Sequence, residues 1–455
     1  MMKNFYKLIL PVVRGFVYGA MAIQIVLGIL YIGSNLMAVP QFQETARYLE
    51  MAETLVVDEY TGILYPLLLR LCSILPVVPF QIPLYLIQIF VAVFCVYHFA
   101  CTWTDRKGVA LGCSLWINTI PFVAQAHVTV LPHSLVFSFL VLMLLEVLKG
   151  TKHKEPLNMM DFAVLLCSYT ILVQLGREYF FAGTLLVVWA ILLQIYHKEQ
   201  KVLLFGVTTL ISLGILISNL AIYKGTQTQG AYGRIQRSFQ AVVLQRVGMS
   251  TMKERFMIYM PNEIRECFTG NELEEFAKYP YKLQTEFGPV LEDCYGKKYA
   301  NELYWKLGLL GFGNATKDSL KSIAEDTLNY AMPAGVYFTW RDGNEKGITS
   351  WNYQQFIEQA PALSVMYVTV CQCLWLLGFG LCTAVGIMIA LHRRNLYMRI
   401  WLPVVTYVGA YALYFALQGE NIYDYKLALL PLALSYAWIA CVFFRKERAL
   451  KEEIE

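Results

Sequence analysis

GVALGCSLWINTIPFVAQAHVTVLPHSLVFSFLVLMLL, residues Gly108–Leu145, contains no Asp, Glu, Lys or Arg. At about 1.5 Å per residue, 38 helical residues would overshoot the roughly 30 Å of hydrocarbon in a bilayer. A single crossing cannot use the whole run. Pro121 and Pro132 supply the break, so the run reads as two helices joined by a short hairpin. A stretch of this kind belongs to a polytopic membrane protein.

Composition extends that reading to the whole chain. Of 455 residues, 57% are apolar and 15% charged, where globular domains run roughly 45–50% and about 25%. A disordered, collagen-like or disulfide-stapled chain is excluded. Nucleic acid is excluded as a partner, because 37 basic against 33 acidic residues leave only +4 and no basic face.

Working outward, Gly15 to about Ala38 is a full span, longer than the roughly 7–15-residue core of a cleaved signal peptide, and reads as a retained anchor. Leu71–Thr104 carries only His98 and places a span at Pro83–Cys101. Further spans are expected at Met159–Leu175, Tyr179–Tyr196, Val202–Tyr223, Leu363–Leu391, Ile400–Gln418 and Leu427–Phe444, about ten crossings in all. One set of loops holds Lys3, Lys7, Arg106, Lys107, Lys149, Lys152, Lys154, Lys198, Lys201, Arg393, Arg394, Arg399, Arg445, Lys446, Arg448 and Lys451. The opposite short loops hold little beyond Arg47, Arg177 and Lys426. The excess of Lys and Arg on one side predicts both termini in the cytoplasm, and an even span count agrees.

The expected organisation is therefore an all-α polytopic protein. Residues 1–223 form a seven-span module with an outer loop at 40–66. Residues 224–358 form a mostly helical extracytoplasmic domain between spans 7 and 8, and 359–455 supply three more spans and a cytoplasmic tail. Nine of eleven cysteines lie in or beside apolar spans, where a thiol behaves as a small hydrophobe. Cys267 and Cys294 lie in the outer domain, where the compartment permits a disulfide and two free thiols fit equally well. The six histidines have no metal-ligand spacing. Gly308-x-x-Gly311-x-Gly313 lacks the Lys-Ser/Thr of a phosphate loop.

The first outer loop carries the residues with chemistry. In Glu44-Thr-Ala-Arg-Tyr48-Leu-Glu-Met-Ala52-Glu-Thr-Leu55, helical spacing puts Tyr48, Ala52 and Leu55 on one face and Glu50 and Glu53 on the other. A short helix on the membrane surface is expected, with Glu44 at its dipole-favoured N-terminal end. Asp58-Glu59-Tyr60 follows, and Leu64-Tyr65-Pro66-Leu-Leu-Leu-Arg70 opens another helix.

This order resembles the GT-C glycosyltransferases, membrane enzymes dependent on polyprenyl-phosphate sugars that include protein O-mannosyltransferases and lipid A aminoarabinose transferases. The likeness rests on an inner N-terminus, one span, an acidic residue before Tyr48-Leu-x-x-Ala52, and the Tyr65-Pro-Leu-Leu-Leu helix. It continues through Ile120-Pro121, Leu175-Gly-Arg177, and Glu420-Asn-Ile-Tyr-Asp-Tyr425-Lys426 ahead of Leu430-Pro431. The resemblance implies a GT-C-like bundle and inverting transfer of a sugar from a polyprenyl-phosphate donor to an envelope glycan, lipid or protein on the outer face of a bacterial inner membrane. It implies a catalytic carboxylate at Glu44, Asp58 or Glu59. Glu44 stands where the family usually has Asp, so the role stays open among the three. A general base of this kind contributes typically 10²–10⁴-fold. A divalent cation (Mg or Mn) on the same acids is compatible with the pattern and not required by it. Tyr48, Tyr60, Tyr65 and Glu420 would position substrates.

The leaving phosphate calls for cations. Arg177 lies where an apolar helix reaches the outside, where an unpaired charge is costly. Arg234 and Arg237, with Arg246, lie in Ala231–Val247, whose apolar residues recur at helical spacing. Lys426 is the further candidate. Each basic residue also fits simple headgroup anchoring. Three other functions compete: a polysaccharide polymerase, a non-catalytic GT-C-like protein, and a lipid-linked-glycan flippase. A flippase would carry charges within spans and inverted repeats, and the sequence has neither.

Overall fold

The computed structural model describes residues 2–37, 39, 43–55, 62–74, 78–153, 156–175, 179–199, 201–207, 209, 262–272, 290–296, 299–300, 302–303, 316–331, 362–392, 396–418 and 425–444. The described residues are mostly helical, and no strand occurs among them, so the all-α expectation holds. The principal helices are α1 (Met2–Asn35), α2 (Gln43–Thr54), α3 (Leu64–Ser73), α4 (Gln81–Ala100), α5 (Lys107–Asn118), α6 (Pro121–His127), α7 (His133–His153), α8 (Met159–Leu175) and α9 (Phe180–His197). They continue with α10 (Thr316–Ala331), α11 (Ala362–His392), α12 (Leu396–Gln418) and α13 (Tyr425–Phe444).

Local chemistry sets several boundaries. Asn158 begins α8 by accepting the Asp161 N–H on its side-chain oxygen at 2.8 Å. Lys198, at φ 60°, closes α9 in the left-handed conformation. Near residue 270, Thr269 and Glu272 cap one another: the Thr269 N–H donates to the Glu272 carboxylate at 2.8 Å, and the Glu272 N–H to the Thr269 hydroxyl at 3.4 Å.

Among the described residues, four helices are long and apolar enough to cross a membrane: Val17–Asn35, Gln81–Ala100, His133–Thr151 and Val365–Ala384. A fifth results if α5 and α6, bent by 83° at their junction, count as one broken span. This is fewer than the ten expected. The expected spans at Met159–Leu175, Tyr179–Tyr196, Ile400–Gln418 and Leu427–Phe444 are all helical, and among the described residues their apolar stretches are Met159–Leu175, Phe181–His197, Trp401–Ala416 and Leu427–Val442. At about 1.5 Å per residue, the 17 residues of α8 cover roughly 25 Å, short of a full hydrocarbon layer, whereas the 23 of α12 and 20 of α13 cover roughly 30 Å or more. Most of Val202–Tyr223 lies outside the described residues.

The chain separates into two compact units. One comprises Met1–Thr226, Ala334–Tyr407 and Tyr425–Glu455; the other comprises Gln227–Pro333 and Val408–Asp424. In the first unit α7 packs against α4, α8 and α9, while α4 also packs on α5. Helix α1 lies along α5, α6 and α11, and α13 lies along α11, α5, α6 and α7.

The broken run quoted at the outset is stabilised by side chains that replace lost helix bonds. Pro121 occupies the first turn of α6, where its missing N–H costs nothing. The Trp116 carbonyl accepts from Gln24 Nε2 at 3.1 Å, and Trp116 Nε1 donates back to Gln24 Oε1 at 2.9 Å. The Thr119 carbonyl accepts from the Tyr367 hydroxyl. Gly28 lets α1 come close here, since a Cβ at that position would overlap Thr119. At the far end of α6, Gln88 Nε2 donates to the carbonyls of His127 and Thr129, at 3.3 and 3.1 Å. Irregular backbone at membrane depth needs this kind of satisfaction from neighbouring protein.

Candidate functional site

Helix α2 has the amphipathic character its sequence predicts. Thr45, Tyr48, Met51 and Ala52 are buried, while Arg47, Glu50 and Glu53 are exposed. The helix stops at Thr54, and Leu55 turns the chain in the left-handed region at φ 54°. A non-glycine residue held there costs on the order of 1 kcal/mol or more.

Helix α3 packs directly on α2. The rings of Tyr48 and Tyr65 meet edge to face, with centroids 5.3 Å apart at 83°. Tyr65 is fully buried, together with Leu69 and Cys72 along the same face. Arg70 points the other way and donates through Nη1 to the Glu53 carbonyl at 3.0 Å, joining the two helices at their surface. Of the expected site residues, the structure thus brings Tyr48 and Tyr65 together. Because both rings are buried, their direct work is to hold α2 on α3.

A second junction ties this pair to the body of the first unit. Helix α3 packs on α4 and α8, and Gly62, just before α3, lies against the backbone of Gln174 in the last turn of α8. A Cβ at position 62 would overlap the Gln174 carbonyl. Only glycine permits so close an approach of two backbones. Asp58 and Glu59 precede Gly62 by four and three residues, and Arg177 follows Gln174 by three.

Asp58, Glu59, Tyr60, Arg177, Arg234, Arg237 and Glu420 themselves lie outside the described residues. Glu44 sits in the first turn of α2 and Lys426 in the first turn of α13, both with side chains outside the described residues. Among the described residues no group of three or more His, Cys, Asp or Glu could hold a metal ion.

Two polar clusters lie outside the expected site residues. In the first, the buried His127 ring bridges Ser134 Oγ, 2.8 Å from Nδ1, and Asn118 Oδ1, 3.1 Å from Nε2. Asn118 Nδ2 is committed to the Ser114 carbonyl at 2.9 Å. Its Oδ1 must therefore accept, which puts the His127 proton on Nε2 and leaves Nδ1 to accept from Ser134. In the second, Lys149 Nζ lies 2.7 Å from the Glu146 carboxylate and 3.1 Å from that of Asp161. The spacing of Glu146 and Lys149 on α7 is a signal available in the sequence, whereas Asp161 joins only through the packing of α8 on α7. No family model matches the chain, and neither a curated protein nor a solved structure matches it.

Proposed function

We propose that the protein is a GT-C-type glycosyltransferase that moves a sugar from a polyprenyl-phosphate donor to an envelope glycan, lipid or protein acceptor. In this reading the shorter apolar helices also cross the membrane, which restores about ten spans. Both termini are cytoplasmic, the membrane is the bacterial inner membrane, and the first outer loop faces outward.

The observation that supports the reading is the Gly62–Gln174 junction, which sets the start of α3, where the first outer loop ends, against the last turn of α8, three residues before Arg177 in the sequence. Catalysis there would proceed in one displacement. A carboxylate of Glu44, Asp58 or Glu59 takes the proton of the acceptor hydroxyl or amine as its oxygen or nitrogen bonds to the anomeric carbon. The anomeric C–O bond breaks with inversion, and its electron pair leaves on the lipid phosphate. Arg177, with Arg234, Arg237 and Lys426 as further candidates, would hold that phosphate. The Tyr48–Tyr65 contact supports the geometry by fixing α2, and with it Glu44, relative to α3.

The test incubates the purified chain with polyprenyl-phosphate sugars and candidate acceptors, comparing Glu44→Gln, Asp58→Asn and Glu59→Gln with the parent. At least one variant is expected to lose about 10²-fold or more in turnover. Gly62→Ala is expected to lose about 10-fold or more by displacing the loop. Parental turnover in all three acid variants would sink the proposal.

A further inference from the structure

We propose that the break between α6 and α7 encloses ordered water, held between Gln88 and the backbone of residues 128–131. The break lies deep in the bundle. Gln88 follows Gln81, the first residue of α4, by seven positions, which sets it about 10 Å below that end of the helix. It reaches the loop directly, donating through Nε2 to the His127 and Thr129 carbonyls. Every residue from Thr119 to Ser134 is buried, and Val128, Thr129, Val130 and Leu131 are each at most 2% exposed. These four belong to no helix that could pair their backbone. The N–H groups of Thr129, Val130 and Leu131 and the carbonyls of Val128, Val130 and Leu131 have no hydrogen-bond partner among the described residues. Gln88 Oε1, on the same amide that grips the loop, is buried and also without one. Its nitrogen is committed to two carbonyls, so the amide cannot turn over to offer a donor instead.

Buried backbone groups are almost always paired, by protein or by ordered water, and lipid tails can pair none of them. Water fits this loop because the unmet groups are of both kinds. It accepts from the three N–H groups and donates to the carbonyls and to Gln88 Oε1. A buried water makes about three hydrogen bonds, so roughly two or three molecules meet the whole set. A metal cation would use only the oxygens and would face the N–H groups. It would also need a counter-charge. Of the helices packed on α6, only α7 carries an acid, and that acid, Glu146, is already paired with Lys149. An anion would face the carbonyls and Gln88 Oε1. The neighbouring His127 ring calls for no solvent, since Ser134 and Asn118 take both of its nitrogens. The demand comes from the loop backbone. Water bound there solvates the bent run from inside the protein, at a depth where bulk solvent does not reach.

The test exposes the purified full chain, in detergent, to a brief X-ray pulse that splits water into hydroxyl radicals. These radicals attack side chains beside any water molecule, enclosed or bulk, and mass spectrometry of the digest reads the oxidation residue by residue. Val128, Val130 and Leu131 are expected to oxidise about fivefold or more faster than Leu140 and Leu144, which are equally buried but lie in the continuous helix α7. Rates no higher than those of the two leucines would overturn the proposal. A density map detailed enough to show solvent gives the second measurement. Peaks are expected within hydrogen-bond distance of Gln88 Oε1 and of the N–H groups of residues 129–131. A peak ringed by oxygens alone at metal-ligand distance, or a protein N–H bonded to Gln88 Oε1, would overturn it.

Discussion

Helices α1 and α7 look alike as sequences and differ in what surrounds them. Each offers a 19-residue stretch apolar enough to cross a bilayer, yet 78% of that stretch is buried in α7 and 33% in α1. On α1 the exposed residues Ile23, Val26, Ile29 and Leu30 form one stripe, and Val17, Ala20, Gln24, Leu27 and Tyr31 form the buried one. On α7 nearly every position is buried. Hydrophobicity reports that a helix belongs in a membrane. It does not report whether lipid or protein lies beside it, because lipid tails are as apolar as leucine. The polar residues carry that information. Helix α7 has Ser134, Ser138, Glu146 and Lys149 in contact with other groups, while the described part of α1 has Gln24 paired with Trp116.

The largest test of this contrast is the charge cluster. Glu146 is only 4% exposed in its side chain and has the Lys149 ammonium on one side and, through it, Asp161. Lys149→Met would leave a buried carboxylate without its counter-ion and facing a second acid. Breaking a buried pair from one side costs about 3–5 kcal/mol, and the low end applies because Lys149 is 41% exposed. Thermal unfolding in detergent should fall accordingly, and a triple replacement that also removes Glu146 and Asp161 should recover most of the loss. A variant as stable as the parent would mean that Glu146 is solvated and that α7 is not enclosed by protein.

A smaller effect separates the two helices by a single matched substitution. Leu144→Ala in α7 removes a fully buried side chain, and Leu30→Ala in α1 removes one that is 58% exposed. In lipid the transfer part of the usual cost is nearly absent, so the cavity part dominates and the α7 change should cost about 2 kcal/mol. At Leu30 lipid fills the space, and the change should stay within about 0.5 kcal/mol. Equal losses at the two positions would erase the distinction between an enclosed and a peripheral helix.

Much of the helical framework was legible in the sequence. The expected Met159–Leu175 is helix α8 residue for residue, and the expected Leu363–Leu391 is α11 to within one residue at each end. Long apolar runs between charges and prolines leave few alternatives. The face of α2 was equally legible, because Tyr48 and Ala52 fall one helical turn apart. The count of full-length spans was not, since α8 has the composition of a span and falls short of one at 17 residues. Nor was the Gly62–Gln174 junction. Two backbones that touch across a long separation leave no periodic trace, and a lone glycine before a Leu-Tyr-Pro helix reads simply as a loop residue. His127 escaped for a related reason: its partners Asn118 and Ser134 come together only because the chain folds back at Pro121 and Pro132.

The smallest effect concerns the polar pair that anchors α1. Gln24 is fully buried, and it exchanges two hydrogen bonds with Trp116, one with the indole and one with the carbonyl freed near the α5–α6 break. Gln24→Leu keeps the volume and removes both bonds. Interhelical hydrogen bonds in membranes average about 0.6 kcal/mol because the separated helix finds other partners, so the loss should be about 1 kcal/mol. A double-mutant cycle with Trp116→Phe, read by unfolding in detergent, isolates the indole bond. A coupling near zero would show that close packing through Gly28, and not the polar pair, holds α1 against the break. In that case a bulkier side chain at Gly28 should be the more damaging change.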